Sequence, residues 1–306
     1  MRLSMQSSNI IHQILEKDIS VIYEPHNSLF DHILCSCIKD INYYIFSPDA
    51  DNISDNCVNL PESNYDIHSY DICLYNNVLS VINKQSNIAN FLHVNSLLFQ
   101  HNTKSGKIKK EDALIIDQKI GHVNKIFFDD NIMSSWNLHN SHLIQYGIPL
   151  NLFHNNNRDR HIDILLLCNN KPLIENIYNA LVSNNMKCET VSDIKTLKLD
   201  DINNKFNESK TVLDLENNTI NQLCALACGC EVAALAAYSH PGLSPWIITK
   251  NSIDSLVEYC IAQKNVHHNR NYDQLQKYLE QNFNYDQFKI ALSKIIQSNK
   301  RKAFIL

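Results

Sequence analysis

The stretch DLENNTINQLCALACGCEVAALAAYS, Asp214–Ser239, decides how the chain is read. It has the pattern of a strand end, a polar bend, a short helix of small residues and, after one glycine, a second apolar strand. Thr219 is predicted as the helix N-cap, with Gln222 at capping-box spacing three residues on, and Gly229 fits the residue just past the helix end. Ala225, Ala227 and Cys228 keep the helix slim enough to lie close on a sheet. Unpaired N–H groups at Asn218 to Asn221, together with the helix dipole, would attract an anion such as a diphosphate. In an open parallel sheet the carboxyl ends of the strands are where ligands bind. The plainer alternative is a capped βα turn that binds nothing.

Outward from this stretch the same rhythm continues. Upstream, HIDILLLC (161–168) is expected as a buried strand, KPLIENIYNALVSNN (171–185) as an amphipathic helix, and MKCETVS (186–192) and TVLDL (211–215) as strands. Downstream, PWIIT (245–249) closes the set of strands. SIDSLVEYCIAQK, NYDQLQKYLEQN and YDQFKIALSKIIQSN form a helical tail.

Before these lies YGIPLNLFHNNNRDRH (146–161), whose Gly-x-Pro turn and polar run have the composition of an interdomain connection. The first half shows a matching alternation. DISVIYE (18–24) precedes a helical segment in which Leu29, Phe30, Ile33, Leu34 and Cys37 recur at helical spacing. NYYIFSP and YDICLYN are strands on either side of the loop DADNISDN. VLSVINKQSNIANFLH is a helix, VNSLLFQHN a strand, KKEDALIIDQKIGH a helix and NKIFFDD a strand. This is the βαβ rhythm of parallel sheets covered on both faces. The expected fold is α/β, with two doubly wound Rossmann-like domains facing a cleft, 1–146 and 147–306, and with the C-terminal helices free to pack back on the first.

Composition excludes several classes. The 306 residues suit two domains, and the hydrophobic fraction of 44% is ordinary for a globular chain. No run reaches the roughly 18 apolar residues a membrane helix needs, and the N-terminus lacks a signal-peptide core, so a soluble, cytoplasmic protein is expected. Ten cysteines sit mostly inside apolar runs and are read as reduced thiols. Cys224, Cys228 and Cys230 would supply zinc ligands, but no second ligand pair follows at finger-like spacing. A net charge of -5, with one small basic cluster in KSGKIKKED, gives no basic stripe for nucleic acid. Frequent asparagine beside five glycines looks like the drift of an AT-rich bacterial or viral genome, and Asn runs receive little functional weight.

NQLCALACGCEVAAL resembles the LEAMACGxPVVA segment of group 1 glycosyltransferases with the GT-B fold, in particular their divergent bacterial and phage members. IQYGIPLNLF is similar to that family's interdomain phrase. HIDILLLCNNK resembles its first C-domain strand and donor loop, and SLLFQHN the N-domain strand ending in a histidine that faces the sugar donor. The likeness runs in order from about Tyr65 to Leu256.

The resemblance implies a nucleotide sugar held mainly by the second domain, an acceptor hydroxyl on a glycan, protein or modified DNA base, and no bound metal or other cofactor. By position, Asn169, Asn170 and Lys171 would lie near the diphosphate, with Asn217, Asn218, Thr219 and Gln222 beside them. Glu216 would match the first acid of the family's Glu-x7-Glu pair, but the second position is Cys224, and a thiol cannot hold ribose hydroxyls comparably. Either Asn217, Asn218 or Gln222 takes that part, or the donor is atypical, or turnover is lost. His101 would hydrogen-bond the transferring sugar or steady charge on the leaving oxygen, with His93 a weaker rival. EPHNSLFD replaces the family's glycine-rich loop without a glycine, so Glu24, His26 or Asn27 would touch the acceptor instead.

Asp49 and Asp51 match the Asp-x-Asp metal motif of the other glycosyltransferase fold but sit in an Asn/Ser-rich loop and are read as a solvated turn. Asp129 and Asp130 are read as loop polarity. The expected activity is metal-independent hexosyl or pentosyl transfer. The alternatives are an inactive GT-B-like binding module and a phage-type enzyme that glycosylates modified DNA bases.

Overall fold

The computed structural model describes residues 19–24, 29–37, 41–45, 57–59, 72–75, 95–100, 110–121, 123–192, 194, 197–216, 218–236, 241–264 and 271–303. The chain divides into two compact units, one drawn from Met1–Gly147 with Tyr285–Leu306 and the other from Ile148–Asn284. Each is an α/β body built on a parallel sheet. No helix among the described residues is long and apolar enough to cross a membrane.

The strands of the first unit are β1 (Ile19–Glu24), β2 (Ile41–Ile45), β3 (Cys57–Asn59), β4 (Ile72–Tyr75), β5 (Asn95–Gln100), β6 (Asn124–Phe127) and β7 (Ser141–Leu143). They pair in the order β3-β2-β1-β4-β5-β6-β7, all parallel. The chain first builds outward from β1 through β2 to β3, then returns to lay β4 on the other side. The direction of winding therefore reverses between β1 and β4.

Helices α1 (Leu29–Cys37), α2 (Lys110–Ile120), α3 (Asp130–Trp136) and α9 (Tyr285–Ala303) complete this unit. Leu29, Phe30, Ile33 and Leu34 of α1 are buried, as their spacing predicts. Phe30 meets Phe128, Tyr146 and Phe288 edge-on at 5.7, 6.4 and 6.0 Å, and Phe128 stacks on Tyr146 at 3.9 Å.

Gly147, the glycine of the Gly-x-Pro turn, lies against the start of α9. A Cβ there would stand 2.5 Å from Cβ of Phe288 and 2.9 Å from Cα of Tyr285. Since one of these atoms is backbone, the helix itself must move. Gly147→Ala is expected to cost about 1–3 kcal/mol by overpacking, read as a lower urea midpoint at unchanged slope.

The second unit holds β8 (Ile162–Leu167), α4 (Lys171–Ser183), β9 (Cys188–Val191), α5 (Leu199–Glu208), β10 (Ser209–Asp214), α6 (Thr219–Ala227), β11 (Glu231–Leu235), β12 (Ile247–Lys250), α7 (Ile253–Ala262) and α8 (Tyr272–Asn282). Its sheet runs β12-β11-β10-β8-β9, again parallel throughout. β8 lies inside the sheet and is buried along nearly its whole length, which explains its nearly continuous apolar sequence, and β10 beside it is buried from Val212 to Asp214. Ile164, Leu166, Leu213 and Ala233 pack with Ile174, Ile177 and Leu181 of α4 and with Leu256 and Cys260 of α7.

The direction of winding reverses after β9, so right-handed crossovers put α6 on the opposite face from α4. There α6 lies against β10 and β11 and is covered by α5 and α8, so every residue from Thr219 to Ala227 is buried. The small side chains expected for close packing are required by this double cover. Gly229 has φ of +82° and sits at C′. Its N–H donates to Leu226 O and that of Cys230 to Ala225 O, at 2.9 and 3.0 Å, completing a Schellman motif.

Candidate functional site

In the second unit the winding reverses between β8 and β10, which pair with Asp214 opposite Leu167. The two loops leaving their carboxyl ends are therefore neighbours, the arrangement at which open α/β sheets bind ligands. After β8 come Cys168, Asn169, Asn170 and the start of α4. After β10 come Leu215, Glu216 and the start of α6. The Leu215 N–H donates to Leu167 O at 3.1 Å, extending the ladder between the two exits. Glu216 and Asp214 lie close enough to Cys168 that, after burial, their charges push its thiol pKa up.

On the β8 side, Asn170 is the N-cap of α4 and its Oδ1 accepts from Leu173 N–H at 3.2 Å. Lys171 occupies the first helical position and is exposed, as are Asn169 and Asn170. Pro172 follows, where a missing N–H costs nothing. This edge carries an ammonium and amide groups at a helix start, all favourable to an anion.

The β10 side differs from the expectation drawn from Thr219. The N-cap of α6 is Asn218, whose Oδ1 accepts from Ile220 and Asn221 N–H at 3.0 and 3.5 Å, and Thr219 is the first helical residue, buried. Gln222 does not close a capping box. Its Nε2 donates to Oδ2 of Asp214 at 2.9 Å, and Gln222 is fully buried. The donors read as unpaired from Asn218 to Asn221 are mostly engaged, since Asn218 N–H also donates to Asp214 Oδ2, at 2.9 Å. With the half-buried Glu216 beside it, this edge suits hydroxyl groups better than phosphate.

Asp214 is the residue that sequence reasoning missed. Its Oδ1 also accepts from Glu216 N–H at 3.1 Å, so one carboxylate takes three donors from the next eight residues. An aspartate ending a strand, with a polar bend and an Asn N-cap four residues on, is the available signal: Asp side chains bond backbone N–H groups two or more residues ahead.

Burial pushes the Asp214 pKa from 3.8 up to about 7, against the lowering effect of the Gln222 bond and with a further push from Glu216. Between these values the folded chain keeps a proton that the unfolded chain has released. The stability contributed by this group is thus full below about pH 4 and is lost as pH rises to about 7. Urea midpoints of the wild type measured against Asp214→Asn should fall across that window, and a flat difference would show that burial is not the dominant influence.

Cys224 is wholly buried on α6. Cys168, Cys188, Cys224, Cys228, Cys230 and Cys260 are all thiols, and among the described residues no group of His, Cys, Asp and Glu is arranged to hold a metal ion. In the first unit, Asp129 accepts the Asn131 N–H at 2.8 Å and caps α3, with Asp130 in its first turn. Its polarity is that of a helix cap. His26, Asn27, His93, His101, Asn217, Asp49 and Asp51 lie outside the described residues.

No family model matches the chain, and no curated protein sequence matches it. Among solved structures, the crystal structure of AviGT4, a glycosyltransferase involved in avilamycin A biosynthesis, is similar with a TM-score of 0.52. The match covers 92% of this chain and 97% of that one at 7% sequence identity. The likeness is one of fold: a mixed α/β chain with parallel sheets, of the glycosyltransferase-like Rossmann kind.

Proposed function

We propose that the chain is a glycosyltransferase that moves a sugar from a nucleotide diphosphate donor to an acceptor hydroxyl, without a bound metal. The observation that supports this reading most is the switch point between β8 and β10, where the Lys171 and Glu216 loops leave adjacent strands. A negatively charged leaving group needs compensation, and the Lys171 ammonium with the Asn169 and Asn170 amides supplies it. A sugar or ribose needs hydroxyl acceptors, and Glu216, with the Asn218 amide near it, supplies those. The chemistry then rests on positioning and on stabilising charge on the departing diphosphate. His101 and His26 are assigned to the transferring sugar and the acceptor on the resemblance alone.

A thermal-shift screen of UDP, GDP, ADP, CDP and dTDP and their common sugars tests the reading. A ligand at one hundred times its Kd stabilises the folded chain by about 2.7 kcal/mol, a rise of several degrees in Tm. A shift by one nucleotide, with release of the diphosphate when an acceptor is added, is the expected result. No shift with any nucleotide would sink the donor reading.

Cys224 favours a second reading, a binding module that has lost turnover, because it fills a position where the resembling family has an acid and lies sealed in the core. Binding without transfer or hydrolysis across the same donors is its signature. A modified DNA base as the acceptor would instead show as duplex binding that weakens steeply with salt.

A further inference from the structure

Hydrogen bonds from the loop carrying Glu216 converge on a side chain that is sealed from any ligand. Asp214 is fully buried, yet both its oxygens are engaged by the segment that follows: Oδ1 by Glu216 N–H at 3.1 Å, Oδ2 by Asn218 N–H at 2.9 Å and by the Gln222 amide at 2.9 Å. Two of these donors flank position 217 and the third lies in the first turn of α6. Helix α6 has its own N-cap in Asn218, its own C-terminal Schellman motif and its cover from α8. In the described part of the loop, the Leu215 N–H donates to Leu167 O and the Glu216 and Asn218 N–H groups donate to Asp214.

We infer that Asp214 is a positioning residue for Glu216. It clamps the loop so that Glu216 stays beside the Asn169–Lys171 edge of the switch point. Burying a carboxylate is costly unless its oxygens are hydrogen-bonded, and here the compensating donors come from the loop itself. Replacing Asp214 therefore removes the acceptor of the Glu216 and Asn218 N–H groups and disturbs a buried group in the same step. Its titratable neighbours among the described residues are Glu216, and Cys168 at the end of β8. The assignment of Glu216 to donor binding rests on the proposed sugar-transfer function, whereas the clamp can be measured without any ligand.

The experiment is amide hydrogen exchange by NMR on the full chain at one fixed pH, comparing the wild type, Asp214→Asn and Glu216→Ala. In the wild type the Glu216 and Asn218 amides should exchange at least about 100-fold slower than in an unstructured peptide. Asp214→Asn, which replaces one acceptor by a donor, should speed both by at least about tenfold while Leu213 and Ala234 keep their protection. Glu216→Ala should leave Asn218 protected. Peptide-like rates in the wild type overturn the clamp, and this arm needs no variant to fold. Unchanged rates in Asp214→Asn overturn it as well.

In the second arm, affinity for whichever of UDP, GDP, ADP, CDP and dTDP, or their sugars, stabilises the wild type is measured for both variants and their double. If Asp214 acts through Glu216, the double variant binds no more weakly than Glu216→Ala alone, and additive losses reject the assignment. A wild type that binds no nucleotide removes the donor reading, and exchange still decides the clamp.

Discussion

Replacing Arg160 with methionine should lower the stability of the Ile148–Asn284 unit by about 3 kcal/mol, with a fall in Tm on the order of 10 °C. Arg160 stands two residues before β8 and is half-buried. Nη1 donates to Phe206 O at 3.3 Å and to Ser209 O, and Nη2 donates to Cys228 O and to Asn155 Oδ1, the last at 3.3 Å. Phe206 lies in the last turn of α5 and Cys228 is the C-cap of α6, so one cation serves the negative ends of two helices.

Ser209 opens β10 and Asn155 belongs to the connecting segment, so the same group also anchors a strand and the incoming chain. Methionine keeps most of the volume but removes the charged donor from Phe206 O, Ser209 O, Cys228 O and Asn155 Oδ1 together, and hydrogen bonds to a charged group contribute more than neutral ones. Arg160→Lys should recover only part of the loss, because an ammonium cannot span carbonyls that a planar fork reaches together. Gly229 takes part in the same arrangement: a Cβ there would approach Nη2 to 3.0 Å. The control is Arg158→Ala. That exposed side chain meets Asn204 at 2.8 Å and Glu208 only at 4.0 Å, and its loss should stay within about 0.5 kcal/mol. Calorimetric or urea unfolding showing Arg160→Met as stable as Arg158→Ala would remove Arg160 from the account.

Which parts of this were visible in the sequence follows from how each residue earns its place. β8 could be read because a strand buried on both faces has no polar alternation, and HIDILLLC admits little else. Gly229 could be read because few other residues end a helix with positive φ. The true N-cap was one residue off because Asn218 and Thr219 are both good caps, and the choice is made by Asp214, which takes the Asn218 N–H.

Helix α5 is hard to read from the sequence: its apolar positions Leu199, Ile202 and Phe206 are spaced for a helix but stand among Asp and Asn, poor helix formers. The Asn run that composition dismissed as drift is structural. Asn155 Oδ1 accepts from Asn157 N–H at 3.0 Å, Asn157 has φ of 56°, and Asn156 N–H donates to Asn207 Oδ1 at 3.0 Å. Lys125 lies wholly buried in β6 with Nζ on His139 O at 2.8 Å, its pKa pulled down by burial to about 8, and nothing local in NKIFFDD announces that. Pairings made across distant segments leave no periodic trace.

Glu216→Ala and Lys171→Ala should each lower kcat/KM for sugar transfer by about 100-fold, the size found when one preorganised charged or hydrogen-bonding group is lost from a transition state. The two losses should differ in kind. The role given to Lys171 is to offset the diphosphate, whose charge grows as the sugar departs, so its removal should fall mainly on kcat and should be partly restored by arginine. It should also erase the thermal shift from nucleoside diphosphates more than that from monophosphates, since in the proposed binding mode only the former place a second phosphate near the start of α4.

Glu216 is assigned to hydroxyl groups present in both ground and transition states, so its loss should fall on KM as well. Asn169 and Asn170 amides remain in both variants and keep residual affinity measurable. Lys171 is exposed and Glu216 is only half-buried, so neither variant should disturb the core, and unchanged urea midpoints are the control that ties a loss of transfer to the site. Variants that both keep full transfer would place the donor somewhere other than the β8–β10 switch point, and the charge-based division of its two edges would then have no functional content.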